Sequence, residues 1–199
     1  MLNDKYLIPE WRTAEKKATR TGMGEGLVKL GGEHDDVVVL TADLAESVRV
    51  REFAQTFPER FLDVGVAEQN MAGVAVGLSF EGLTPFMASY ATFSPGRNWE
   101  QIRVSVALSK ANVKIIGSHA GVATGVNGPS HQATEDIALM RVLPNMVVLV
   151  PCDANQASAM AEAAYQHVGP VYIRTTRPDT ANFTKHVPYK IGSAQVYRE

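Results

Sequence analysis

The chain has 199 residues, 45% hydrophobic and 20% charged, with a net charge of −2. That is room for one globular domain, and it leaves no basic excess to attract nucleic acid or a membrane surface. One cysteine, Cys152, excludes an internal disulfide and fits a reducing cytoplasm. Lying between an apolar run and a helix start, it reads as a buried, inert thiol. No apolar stretch approaches the roughly 20 residues of a membrane helix, and the start MLNDKYLIPEWRTAEKK lacks the apolar segment of a signal peptide. A cytoplasmic protein is expected.

Along the chain, short β-branched runs alternate with longer helical patterns. The pattern predicts a helix over 11–30, stopped by Gly31 and Gly32 as a left-handed terminus. A strand at 37–41 (VVVLT) follows, then a strand at 61–65 and a helix at 67–80 rich in small residues. Next come a strand at 85–90, a helix at 98–110, a strand at 113–118 and a helix at 134–142. A strand at 146–150, a helix at 155–167 and a strand at 171–174 complete the series. Asp153 with Gln156 three residues on resembles a capping box for the last helix. Several strands are apolar throughout, as expected for strands buried on both faces. The alternation predicts an α/β fold, a three-layer αβα sandwich around a mainly parallel six-stranded sheet. Residues 1–185 form the domain, and 186–199 read as a linker toward a further, C-terminal domain.

The polar residues fall at one edge of that sheet. Asp43 and Ser47 follow the first strand, Glu68 the second, and Tyr90 and Phe93 the third. His119 ends the fourth, with Asn127 and His131 in the loop beyond it, and Arg174 and Arg177 end the sixth. Ligands bind at the carboxyl ends of strands in doubly wound sheets. Glu68 stands at a strand-to-helix junction. Its simplest role is a helix N-terminal acid, worth about 0.3–1 kcal/mol. A chemical role needs a carboxyl group in an apolar setting, which Val64, Val66 and Met71 would supply. His119 and His131 bracket a glycine-rich loop of the kind that is often functional; no third ligand points to a metal. Arg20, Ser47, His119 and Arg177 have the chemistry to hold a phosphate ester, although their wide separation in sequence favours unrelated surface residues. Leu44, Tyr90 and Phe93 have the shapes to stack on a flat heterocycle, and core packing explains Phe93 nearly as well.

Five segments carry a resemblance: TADLAES (41–47), DVGVAEQNMAGVAVGL (63–78), SYATF (89–93), SHAGVATGVNGPSHQATEDIALMRVLPNMVV (118–148) and VYIRTTRPD (171–179). In order, over almost the whole chain, they resemble the pyrimidine-binding, central domain of the transketolase family. The resemblance implies thiamine diphosphate as cofactor. Glu68 then matches the glutamate that hydrogen-bonds the aminopyrimidine ring and helps form its imino tautomer. His131 matches the loop histidine near the reacting hydroxyl. Asp43 and Leu44 match residues beside the cofactor, and Tyr90 a ring lining the pyrimidine pocket. Phe93 matches better the corresponding aromatic of deoxyxylulose-phosphate synthases. Arg20, Ser47, His119 and Arg177 match positions at the phosphate end of a sugar phosphate. Asn127 stands where an aspartate is usual, and Met87 where an aromatic is common.

The family binds the diphosphate through magnesium or calcium held by a GDG motif, and this sequence contains no Asp-Gly dipeptide. The resemblance therefore implies a split enzyme, a homodimer or heterotetramer, in which a separate diphosphate-binding chain completes a transketolase. Two other readings stay open. One is a subunit of a related thiamine enzyme, a deoxyxylulose-phosphate synthase or a keto-acid dehydrogenase beta subunit. The other is a non-catalytic assembly subunit.

Overall fold

The computed structural model describes residues 3–198. A 3-10 turn at Trp11–Thr13 and a two-residue strand, β1 (Lys16–Lys17), precede the first helix, α1 (Thr19–Glu33). Then follow β2 (Val37–Thr41), α2 (Arg51–Thr56), β3 (Phe61–Asp63), α3 (Glu68–Phe80) and β4 (Thr84–Tyr90). The next helix, α4 (Trp99–Gln101), widens into π-helical turns over Ile102–Leu108. The chain continues through β5 (Lys114–Ser118), α5 (Asp136–Arg141), β6 (Val147–Leu149), α6 (Ala154–Gln166), β7 (Val171–Arg174) and β8 (Thr180–Ala181).

Six strands form one sheet in the order β3-β2-β4-β5-β7-β6, every pair parallel. Each strand divides its side chains between two cores. Val37 and Val39 of β2 pack with α1 and α6, whereas Val38 and Leu40 pack with α3 and the π-helical turns. Phe86 and Ala88 of β4 face the first core and Met87 the second; Val171 and Ile173 of β7 face the first and Tyr172 the second. Helices thus cover both faces, and this two-sided burial is why the strands read as continuous apolar runs. The expected αβα sandwich is the observed fold.

Three expectations need correction. The first helix begins at Thr19 rather than at residue 11. Residues 16–17 are instead drawn into an antiparallel ribbon with β8, and Ala18 is extended at φ −71°, ψ 143°. The helix also runs through Gly31 and Gly32 to Glu33. Gly31 is there for packing. A Cβ on it would lie 2.6 Å from the Phe53 ring and 2.7 Å from the Phe57 ring, so α2 presses where a side chain would stand. Cys152 is exposed, because it sits in the turn between β6 and α6 rather than under it. Desolvation of its sulfur and the neighbouring Asp153 charge still push the thiol up to about 11, which leaves it protonated and unreactive at neutral pH.

The capping box forms in altered shape. Asp153 Oδ1 accepts from the Gln156 backbone N–H at 2.9 Å, but the Gln156 side chain accepts from the Cys152 N–H instead, at 2.8 Å. Beyond β8 the chain returns over the first core, where Tyr189 and Ile191 pack. The Tyr197 hydroxyl accepts from Gln156 Nε2 at 2.6 Å.

Candidate functional site at the carboxyl edge of the sheet

The parallel order brings the loops after β2, β3, β4, β5 and β7 to one edge. Glu68 is the first residue of α3 and only 2% exposed. Val66, expected to help wall it in, is 70% exposed, since its loop turns outward at Gly65 (φ 70°). The carboxylate is satisfied by charge instead. Arg97 Nη1 donates to both Glu68 oxygens at 2.9 Å, and Asn98 Nδ2 donates to the Glu68 backbone carbonyl at 3.0 Å. Met87 has no exposed surface and packs against α3 in the second core; it lies under the site rather than lining it.

Beside Glu68 the aromatic residues form a stack. Tyr90 lies on His119, ring centroids 3.9 Å apart, and on Phe93 at 5.7 Å with planes 14° apart. The His131 ring meets Phe93 edge-on at 5.4 Å. The loop between the histidines closes through Thr124, a buried residue whose hydroxyl reaches the carbonyls of His119, Gly121 and His131. Gly125 turns the chain there with φ 78°, a conformation that side chains resist. Thr124 carries no motif that a sequence reading could have used, and neither does Arg97, 29 residues from its partner.

His119 itself has a left-handed backbone, φ 56°. Non-glycine residues held in this region concentrate at functional sites. Its Nδ1 lies 3.0 Å from the Ser118 hydroxyl and its Nε2 3.4 Å from Arg20 Nη1. A guanidinium only donates, so Nε2 is the unprotonated nitrogen of a neutral ring. Burial first, then the charges of Arg20 and Arg177, hold this histidine down to about 3.

The four residues of the anion group are brought together in part. Arg20 donates to the Ser47 backbone carbonyl at 2.7 Å. Burial and the Arg49 and Arg177 charges lower its own proton affinity. Arg177 donates to the Thr124 carbonyl at 2.8 Å and lies 3.4 Å from Asn127 Oδ1. Arg49 (φ 65°) adds a third guanidinium to this electropositive corner.

Asp43 and Leu44 lie on an open groove of about 310 Å³ with Ala45, Ser47 and Asp63. Asp43 is exposed and left-handed (φ 59°). Asp63, another residue the sequence reading passed over, accepts from the backbone N–H groups of Asp43 (2.9 Å) and Gly65 (3.0 Å). It thereby ties the loop after β2 to the loop after β3. Among the described residues, no three His, Cys, Asp or Glu side chains converge to hold a metal ion.

Comparison with known proteins gives this arrangement its family. The family described as transketolase, pyrimidine binding domain, matches residues 15–182. A putative transketolase C-terminal section from Methanocaldococcus jannaschii is 48% identical over 82% of this chain and 52% of its own length. The 6-deoxy-6-sulfo-D-fructose transketolase subunit SqwH of Clostridium sp. (strain MSTE9) is 39% identical over 87% of this chain and 54% of its own. A solved split-gene transketolase, described as an inactive beta4 tetramer, superposes with a TM-score of 0.84 at 47% identity, over 93% of this chain and 60% of that one. This chain thus spans about half the length of these relatives. It belongs to the transketolase family and is built as that family's pyrimidine-binding domain.

Proposed function

We propose that the chain is the pyrimidine-binding half of a two-chain, thiamine-diphosphate-dependent transketolase that moves a two-carbon ketol unit between sugar phosphates in the cytoplasm. The observation that carries this reading is the juxtaposition of a buried helix-start carboxylate, Glu68, with the ring stack of Tyr90, Phe93 and two histidines. A carboxylate acceptor beside aromatic faces suits a flat heterocycle that presents a ring N–H. When bound, thiamine diphosphate supplies the carbanion chemistry that breaks and forms carbon–carbon bonds.

Around it, Glu68 would accept a hydrogen bond from the ring N–H and so hold the pyrimidine in its imino tautomer. Phe93, backed by Tyr90, would line the ring's pocket, and Asp43 and Leu44 would border it. His131, whose Nδ1 lies 2.9 Å from the Ser130 hydroxyl, faces the reacting hydroxyl as the proton carrier. Arg20, Ser47, His119 and Arg177 hold the anionic end of the sugar, and Asn127 takes a sugar hydroxyl without charge. His119, neutral and short of protons, serves there as a hydrogen-bonding group. The name of the Clostridium relative adds sulfonated ketoses to the candidate donors, since a sulfonate presents the same kind of oxyanion to guanidinium groups.

The diphosphate and its magnesium or calcium fall to a partner chain with a GDG motif, because no Asp-Gly occurs here. The outer side of α3 is the proposed subunit contact of a homodimer or heterotetramer. Gly73 and Gly77 have nothing within 4 Å of where a Cβ would stand, and Phe80 is 63% exposed.

Mixing this chain with such a partner tests the reading. Ketol transfer from a ketose phosphate to an aldose phosphate is expected only in the mixture. Glu68→Ala is expected to lower it by about 10²–10⁴-fold, the usual worth of a general acid–base group. Pyruvate consumption with carbon dioxide release would overturn the transketolase reading in favour of the synthase.

A further inference from the structure

Arg97 is the one charged partner of Glu68 that the structure shows, and the sequence pattern gave it no part. Its Nη1 is equidistant from the two carboxylate oxygens, 2.9 Å from each. Its guanidinium carbon stands 4.5 Å from the Phe93 ring centroid. One planar group therefore touches both the carboxylate and the ring. Phe93 in turn stacks on Tyr90 and meets His131 edge-on. The backbone around this contact is fixed as well, since Asn98, the next residue, donates to the Glu68 carbonyl at 3.0 Å and to Ser94 Oγ at 3.2 Å. Glu68 is buried while the Arg97 side chain is 48% exposed, so the clasp closes from the solvent side over an acid fixed from below.

We propose that Arg97 is a positioning residue that locks Glu68 and Phe93 into one unit, fixing the carboxylate acceptor against the aromatic wall of the pyrimidine pocket. This rests on the reading of the site as a pyrimidine pocket. A buried carboxylate without a cation is strongly unfavourable, and the pair satisfies it before any ligand arrives. The guanidinium does not exhaust the carboxylate, because each oxygen keeps further lone-pair capacity. A ring N–H can join the clasp without displacing it. The planar fork also explains why arginine suits the position. Lysine would supply charge to Glu68 but no flat surface to Phe93.

The test uses thiamine diphosphate with magnesium, titrated by calorimetry into the complex of this chain with a GDG-bearing partner chain. Unfolding midpoints of this chain alone are measured in parallel. Arg97→Met keeps an unbranched apolar cover on Phe93 and removes the cation. It is expected to weaken cofactor binding about tenfold or more, the scale of one charge-assisted hydrogen bond. Arg97→Lys is expected to recover part of the loss. On a Glu68→Gln background, Arg97→Met is expected to weaken binding by less than about twofold, because the clasp is already broken. In the chain alone, Arg97→Met is expected to lower the unfolding midpoint, and adding Glu68→Gln to raise it again by removing the stranded charge.

Affinity unchanged by Arg97→Met, or an equal loss on both backgrounds, would overturn the proposal while leaving the pyrimidine site standing. An unchanged midpoint would overturn it on the chain alone. Unchanged cofactor affinity in Glu68→Gln itself would sink the pyrimidine reading, whatever the midpoints show.

Discussion

At the scale of single residues, the site is a set of charges and rings held in place by groups with no motif of their own. Glu68, His119 and His131 were legible because each stands where a strand pattern gives way to a helix or a glycine-rich loop. Their surroundings were not. Val66 and Met71 were expected to line the acid, yet Val66 points to solvent and Met71 into the core. Arg97, in the polar run after Pro95, meets the acid with a charge instead. Sequence spacing cannot show that two residues 29 apart meet across a turn. The same holds for Arg20, whose contact with His119 spans 99 positions.

His119 yields a prediction with a definite sign. Its folded value of about 3 lies below the roughly 6.5 of an unfolded histidine. The unfolded chain therefore binds the extra proton between those limits. The neutral-histidine contribution is complete above about pH 6.5 and is lost as pH falls toward 3, with about 2 kcal/mol gone by pH 5. Urea unfolding of the wild type and His119→Asn, which tolerates the left-handed backbone, is expected to show the gap between them shifting against the wild type across that window. Parallel curves from pH 7 to 5 would contradict a proton-poor His119.

At the scale of elements, all six sheet strands and the helix at 67–80 were placed from sequence to within a residue or two of the observed bounds. β3 and β6 are each two residues shorter than expected, and β5 one. Burial on both faces gives short, β-branched apolar runs, which read as strands. The helix over 11–30 failed because helix propensity in residues 14–18 loses to ribbon pairing with residues 180–181, a contact no local pattern contains. The glycines of α1 were misread for a related reason, since their meaning lies in what packs against them. A Cβ on Gly22 would stand 2.0 Å from the Ala154 carbonyl oxygen, at the start of α6, whereas one on Gly32 would meet nothing. Gly22→Ala is accordingly expected to destabilise the fold by about 3 kcal/mol through overpacking. Gly32→Ala is expected to stabilise it by up to about 1 kcal/mol through helix propensity. Equal effects, measured by urea unfolding, would mean that α1 and α6 are not in backbone contact at Gly22.

At the scale of the whole molecule, the proposed function makes this domain one half of a shared catalytic centre. Its carboxyl edge gathers the acid, the ring stack and the guanidiniums on one face, and the outer side of α3 leaves small residues uncovered. No Asp-Gly dipeptide supplies the diphosphate side, so the account places that side on another chain. The most direct test is thiamine diphosphate and magnesium binding by calorimetry, first with this chain alone and then with a GDG-containing partner. The account predicts binding only in the mixture. Tight, metal-dependent binding by this chain alone would contradict a site shared between two chains.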